Sequence, residues 1–175
     1  MIVDRKMMPV SLLRGLGLVL LLAQPALAQG AKVAFGGLKQ DTSLPVEITA
    51  DALEVNQTDG QATFTGNVLV GQGDMRLSAA KVEVDYDADG KAIRTLHATG
   101  GVTIANATDA AEATEAVYTI ASGNVVMTGN VLLTQGPNAI SGQRLVLDLR
   151  DGTGVMEGRV KTVFTPKGAK TGDGN

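Results

Sequence analysis

The chain has 175 residues, no cysteine, no tryptophan and a formal net charge of −3. Disulfide scaffolds, thiolate metal sites and thiol catalysis are excluded by that composition, and an acidic chain without a basic run is a poor partner for nucleic acid or for an anionic membrane. Aromatic side chains are limited to two Tyr and three Phe, so the apolar share is Val, Leu, Ile and Ala, which suits a thin, repetitive β structure better than one compact core.

In chain order, the first segment reads as a targeting signal rather than as part of the fold. Arg5, Lys6 and Arg14 form a basic start, residues 16–22 are an apolar run, and Ala26-Leu27-Ala28 supplies the small-x-small pattern of a signal-peptidase site. The apolar run is shorter than the roughly 18–20 residues a membrane-spanning helix needs, so cleavage after Ala28 is expected. Without the leader's three basic residues and one acidic residue the net charge becomes −5. The expected organisation is a signal peptide at 1–28, one β domain at 29–166 and a polar, Gly-rich tail at 167–175 that is expected to be disordered.

The domain is built from an internal repeat. One motif is Thr65-Gly66-Asn67-Val68, echoed by Thr99-Gly100-Gly101-Val102, Thr128-Gly129-Asn130-Val131 and the degraded Glu157-Gly158-Arg159-Val160. Alternating with it is a small residue, two tolerant positions and then apolar-x-apolar, beginning at Ala50, Ala79, Ala113 and Gly142. The small residues fall at 50, 66, 79, 100, 113, 129, 142 and 158. Every step from a Gly motif to the next small residue is 13; the return step is 16, apart from a five-residue insertion at 87–91.

Turn chemistry separates successive elements at 56–60, 71–74, 87–90, 106–109, 122–124, 136–138 and 151–154, each rich in Gly, Asn or Asp, residues that tolerate positive φ. Between turns the apolar residues alternate with period two: Phe64, Gly66, Val68 and Val70 share one face, and Met127, Gly129, Val131 and Leu133 repeat the arrangement. Consecutive strands joined by short turns make an antiparallel meander. The small residues lie near mid-strand, and in the Ala-type strands the parity breaks there, as a β-bulge would require. Stacked strand by strand, such bends crease the sheet so that it folds over on itself with apolar faces inside. A parallel β-helix with coils of about 29 residues gives the same periodicity and is the competing architecture.

The expected lining of that interior is Ile48, Leu53, Val55, Phe64, Val68, Leu77, Val82, Val84, Leu96, Val102, Ile104, Tyr118, Met127, Val131, Leu145, Leu147, Met156 and Val160; taken singly, each is better explained as core. A meander that does not close leaves unpaired strands near 46–48 and 160–164, which template β-augmentation. Catalytic chemistry is not expected. His97 is the only histidine. The stretch 85–90 opens like a calcium-binding loop, but its twelfth position is Leu96 where a bidentate Glu is needed. Lys81 and Arg144 occupy equivalent repeat positions and are candidates for phosphate contacts or simply for a solvated face.

The order and register of these motifs resemble the LptA/OstA-like family, most specifically over 128–149 and 45–51. The resemblance covers roughly residues 35–164. It implies an all-β, folded-over antiparallel jellyroll open at both ends, a periplasmic location, no cofactor and no enzymatic activity. It further implies lipopolysaccharide as cargo, acyl chains in the apolar trough, head-to-tail homo-oligomers, and partners of the LptC-like inner-membrane and LptD-like outer-membrane kinds. The rival from another class is a structural or adhesive β-solenoid at the cell surface.

Overall fold

The computed structural model describes residues 31–34, 39–56 and 60–165, with backbone pairing only for 31–34. The leader with its cleavage point after Ala28, the tail at 167–175, Phe35 and the turn residues 57–59 lie outside the described residues.

Eleven strands are described: β1 (Ala31–Ala34), β2 (Glu47–Thr49), β3 (Ala52–Asn56), β4 (Gln61–Gln72), β5 (Met75–Tyr86), β6 (Ile93–Ala105), β7 (Asp109–Thr119), β8 (Asn124–Gln135), β9 (Asn138–Asp148), β10 (Thr153–Glu157) and β11 (Lys161–Val163). They form one sheet in which every pairing is antiparallel. The meander is therefore correct and the parallel β-helix is excluded, and with it the architecture an adhesive solenoid requires. Each expected turn whose residues are described lies at a strand junction.

The six long strands are each interrupted near their middle, and the β5–β6 pair shifts again between Asp85 and Tyr86. Register shifts fall between Thr65 and Val68, Ser78 and Lys81, Thr99 and Val102, Glu112 and Glu115, and Thr128 and Val131. At each of these points the Gly-motif strand carries one residue more than its neighbour, so the extra residue belongs to the Gly strands, and the parity break in the Ala-type strands is its reciprocal. Gly66, Asn67, Gly100, Gly101, Gly129 and Asn130 all have positive φ. Two successive left-handed residues turn the strand sharply, which Gly permits and Asn tolerates. The opposing residue must be small or deflected: a Cβ on Gly100 would lie 2.6 Å from the Ala80 Cβ, and one on Gly129 2.7 Å from the Thr114 Cβ. The Gly motif and the small-residue motif are thus the two sides of one crease.

The crease divides the sheet into two leaves. The first leaf contains β3, 61–65, 81–86, 93–99, 115–119, 124–128, 144–148, β10 and β1; the second contains β2, 68–72, 75–79, 102–105, 109–113, 131–135, 138–142 and β11. The unequal steps of the repeat now have a physical meaning. The 13-residue step is the short hairpin of the second leaf, and the 16-residue step is the longer hairpin of the first. Inner-face residues of both leaves form one buried cluster, including Leu77, Leu96, Ile104, Met127, Leu133, Leu145 and Leu147. Each such side chain contributes about 1.5–3 kcal/mol by leaving water.

The interior and its polar seam

Of the eighteen expected lining residues, thirteen are buried in this interior: Val68, Leu77, Val82, Val84, Leu96, Val102, Ile104, Tyr118, Met127, Val131, Leu145, Leu147 and Met156. Ile48 and Phe64 are half-buried against the same cluster. Leu53 and Val55 are 56 % and 60 % exposed, and Val160 is 37 % exposed. These three are not enclosed. Leu53 is the register partner of Phe64, and Val55 of Ala62, so both continue the inner face of the first leaf, but they stand on its terminal strand. Beyond β3 no described strand covers them. At the other end Val160 precedes the terminal strand β11 and Phe164 follows it, both exposed, while Val163, the register partner of Ala139, stands on the outer face. The interior is therefore filled by its own side chains along the middle and opens into apolar mouths at the ends.

On the side opposite the crease, where the two leaves would part, residues 39–46 form a strap. The Gln40 N–H donates to the Leu149 carbonyl at 2.7 Å, on the first leaf's side. The Gln40 Nε2 donates to the Gln72 carbonyl at 2.6 Å, on the second leaf's side. Gln72 is 1 % exposed, and both ends of its amide are engaged. Its Nε2 donates to the carbonyls of Thr42 and Leu44 at 3.0 and 2.9 Å, and its Oε1 accepts from the Tyr118 hydroxyl at 2.6 Å. Arg150 fastens the strap from outside, with Nε donating to Thr42 Oγ1 at 3.2 Å and a terminal nitrogen donating to the Ala121 carbonyl. Tyr118 belongs to the first leaf and Gln72 to the second, so one side-chain hydrogen bond joins the leaves while the strap crosses above it.

The sequence pattern places Tyr118 on the inner face but marks Gln72 only as part of a turn. A finer signal is present, since 68, 70 and 72 share parity, so that Gln72 continues an inward row. Burial pushes the Tyr118 hydroxyl up to about 12, with nearby Arg150 pulling the other way. The folded chain thus keeps this phenol neutral at pH values where the unfolded chain ionises it. Its contribution to stability is complete below pH 10 and is lost as the pH rises through 10 to 12. Chemical denaturation across that range is expected to show a falling midpoint, and Tyr118→Phe is expected to flatten the fall. An unchanged slope in the variant would assign the alkaline loss to other groups.

The charged candidates lie outside the interior. Lys81 Nζ meets Glu83 at 2.8 Å and an Arg144 terminal nitrogen meets Glu157 at 2.6 Å, all on the outer face of the first leaf. His97 stands 3.8 Å from Glu83 and 3.9 Å from Glu115. The stretch at 85–90 leads into a hairpin loop, closed by the Asp87 N–H donating to the Ala92 carbonyl at 2.9 Å. Among the described residues no group of three or more His, Asp or Glu side chains is arranged to hold a metal ion.

Among the described residues, the creased antiparallel sheet has two apolar inner faces and no further strand beyond β3 or β11. It is similar to the solved structure of LptH, the LptA-homologous periplasmic component of the lipopolysaccharide transport device of Pseudomonas aeruginosa, with a TM-score of 0.65 and 20 % identity, covering 73 % of this chain and 99 % of that one. Residues 47–153 match the family described as LptA/(LptD N-terminal domain) LPS transport protein, and the chain belongs to that family. An uncharacterized protein of Rhizobium meliloti is 29 % identical over 162 residues, covering 86 % of this chain and 87 % of that protein. The LPS-assembly protein LptD of Yersinia enterocolitica is 50 % identical over 62 residues, which are 34 % of this chain but only 8 % of LptD. The expected family and all-β jellyroll are thus correct, and a role in lipopolysaccharide transport follows from the family.

Proposed function

We propose that the chain binds the acyl chains of lipopolysaccharide between its two leaves and passes the lipid across the periplasm. It acts after cleavage following Ala28 and without enzymatic activity or cofactor. Copies stack head to tail between LptC-like and LptD-like membrane partners. The observation that carries the reading is the interior itself: two apolar faces, continuous from the mouth at Leu53, Val55 and Phe64 through Leu96 and Met127 to Met156, with the buried polar residues Gln72 and Asp109 confined to its seam side.

The middle of the interior is closed, so acyl chains enter only as the leaves part. Apolar contact is non-directional, and each buried methylene is worth about 0.8 kcal/mol whichever apolar neighbour covers it. Exchanging leaf-to-leaf contact for leaf-to-lipid contact is therefore close to neutral. The polar seam sets the cost of opening, because each of its hydrogen bonds is directional and worth about 1 kcal/mol net.

Photo-crosslinking amino acids at Leu53 and Leu145, in cells, test the reading at the mouth and in the middle. Lipopolysaccharide labelled from both positions supports it; label on protein or glycan alone sinks it. Replacing Leu53 and Val55 together by Asp is expected to change stability by no more than about 0.5 kcal/mol, because both are exposed on an edge. The same pair of changes is expected to lower lipid labelling from Leu145 several-fold.

A further inference from the structure

The two ends of the folded sheet are finished differently. At one end β2 and β3 are terminal strands of their leaves. At the other, β11 ends the second leaf, but the first leaf does not end at β10. The segment 31–34 returns to add β1, paired antiparallel with β10 through Ala31 with Met156, Lys32 with Val155, Val33 with Gly154 and Ala34 with Thr153.

Polarity gives this pairing its meaning. Every neighbour in the first leaf is antiparallel, so direction alternates from β3 through β4 to β10 and then β1. Counted along that series, β1 runs in the same direction as β3. In a second copy stacked so that both leaves continue, the strand laid on β10 is that copy's β3, and it must run in this direction. In the second leaf the same operation lays β2 on β11, again antiparallel, because β11 pairs antiparallel with β9 and β2 with β4. One stacking operation satisfies both leaves, and β1 already occupies the place and polarity of the incoming β3.

We propose that β1 is an intramolecular stand-in on a docking edge for a second copy of this chain, and that copies join by exchanging β1 for the neighbour's β3. The inference rests on the head-to-tail reading under Proposed function. Exchange leaves the number of ladder bonds nearly unchanged, since β1 covers 153–156 and β3 offers five residues to the five of β10. It gains burial for Leu53 and Val55, which β3 leaves exposed in the single copy. Until then β1 shields the β10 edge from indiscriminate pairing. β1 also weakens assembly by the fraction of molecules in which it is displaced: if fewer than about one in ten are open, the apparent dissociation constant rises about tenfold or more.

The chain has no cysteine, so Lys32→Cys with Val155→Cys places a single lockable pair on register partners. Light scattering coupled to size exclusion, over a range of concentrations, reads the result. The reduced chain is expected to assemble and the oxidised chain to remain a single copy at the same concentrations. Deletion of residues 29–34, with folding checked by its thermal transition, is expected to tighten self-association about tenfold or more. Assembly of the locked form equal to the reduced form, or no gain on deletion, or no self-association by any form, overturns strand exchange. Lipid labelling from Leu145 in a single copy does not depend on exchange. Retained label with failed exchange removes this inference alone, whereas lost label removes the transport reading.

Discussion

Gly129→Val is expected to destabilise the fold by about 3–5 kcal/mol, combining left-handed backbone strain with overpacking. Gly129 has φ of 85°, and a Cβ there would lie 2.5 Å from Thr114 Oγ1 and 2.7 Å from its Cβ. Valine adds branching to a backbone conformation that already excludes it. A loss of this size is a large fraction of the roughly 5–15 kcal/mol that typically holds a domain together. The crease permits the two causes to be separated. Gly100 has φ of 86° and faces the Ala80 Cβ, which a new Cβ would approach to 2.6 Å. Gly100→Ala is expected to cost about 2–4 kcal/mol, and adding Ala80→Gly is expected to restore the steric part while leaving about 1–2 kcal/mol of left-handed strain. Urea midpoints at constant slope read both values. A neutral Gly100→Ala, or a double variant no better than the single, would mean that the crease is not the close-packed contact described.

Of all parts of the molecule, this crease is written most plainly in the amino-acid sequence. Its residues repeat in register, the Gly-Asn pairs announce positive φ, and the 13 and 16 steps are the hairpin lengths of the two leaves. The hairpin at 87–91 shows as an interruption of that count. The N-terminal elements leave no such mark. β1 and the strap contain no copy of the repeat, and their partners are remote: Gln40 meets Leu149, and Arg150 meets Thr42 across 108 residues. No local periodicity encodes such contacts. The closed middle is likewise hidden in the composition. A paucity of aromatics implies loose packing, yet Leu, Ile, Val and Met fill the narrow space between the leaves, so that Leu96, Ile104 and Met127 are fully buried. The alternation of apolar residues therefore marks most of the inward positions, but their state is that of a packed core with open ends.

Gln72→Leu carries the second large effect, because one amide serves both leaves and the strap. The change keeps the shape and removes partners from the Tyr118 hydroxyl and from the Thr42 and Leu44 carbonyls. A buried group left unpaired costs about 1–3 kcal/mol. The strap carbonyls escape that cost by swinging into water, whereas the phenol does not, so the expected net loss is about 2–4 kcal/mol. Tyr118→Phe in the Gln72→Leu background removes the stranded hydroxyl. Because an apolar pair of similar shape is close to neutral, the double variant is expected to be more stable than Gln72→Leu alone. Its strap still lacks the two bonds from the Gln72 amide and keeps only those of Gln40 and Arg150. Stability and opening are thereby uncoupled: amide exchange at Gln40 and uptake of a fluorescent lipid should be faster in both Gln72→Leu and the double variant, regardless of their different stabilities. If uptake instead follows stability, the lipid enters through global loosening of the leaves. If Gln40 exchange is unchanged, the Gln72 amide does not hold the strap. Faster uptake in the better-folded double variant is the outcome that a polar latch on an apolar interior demands, because only the seam bonds distinguish its closed state from its open one.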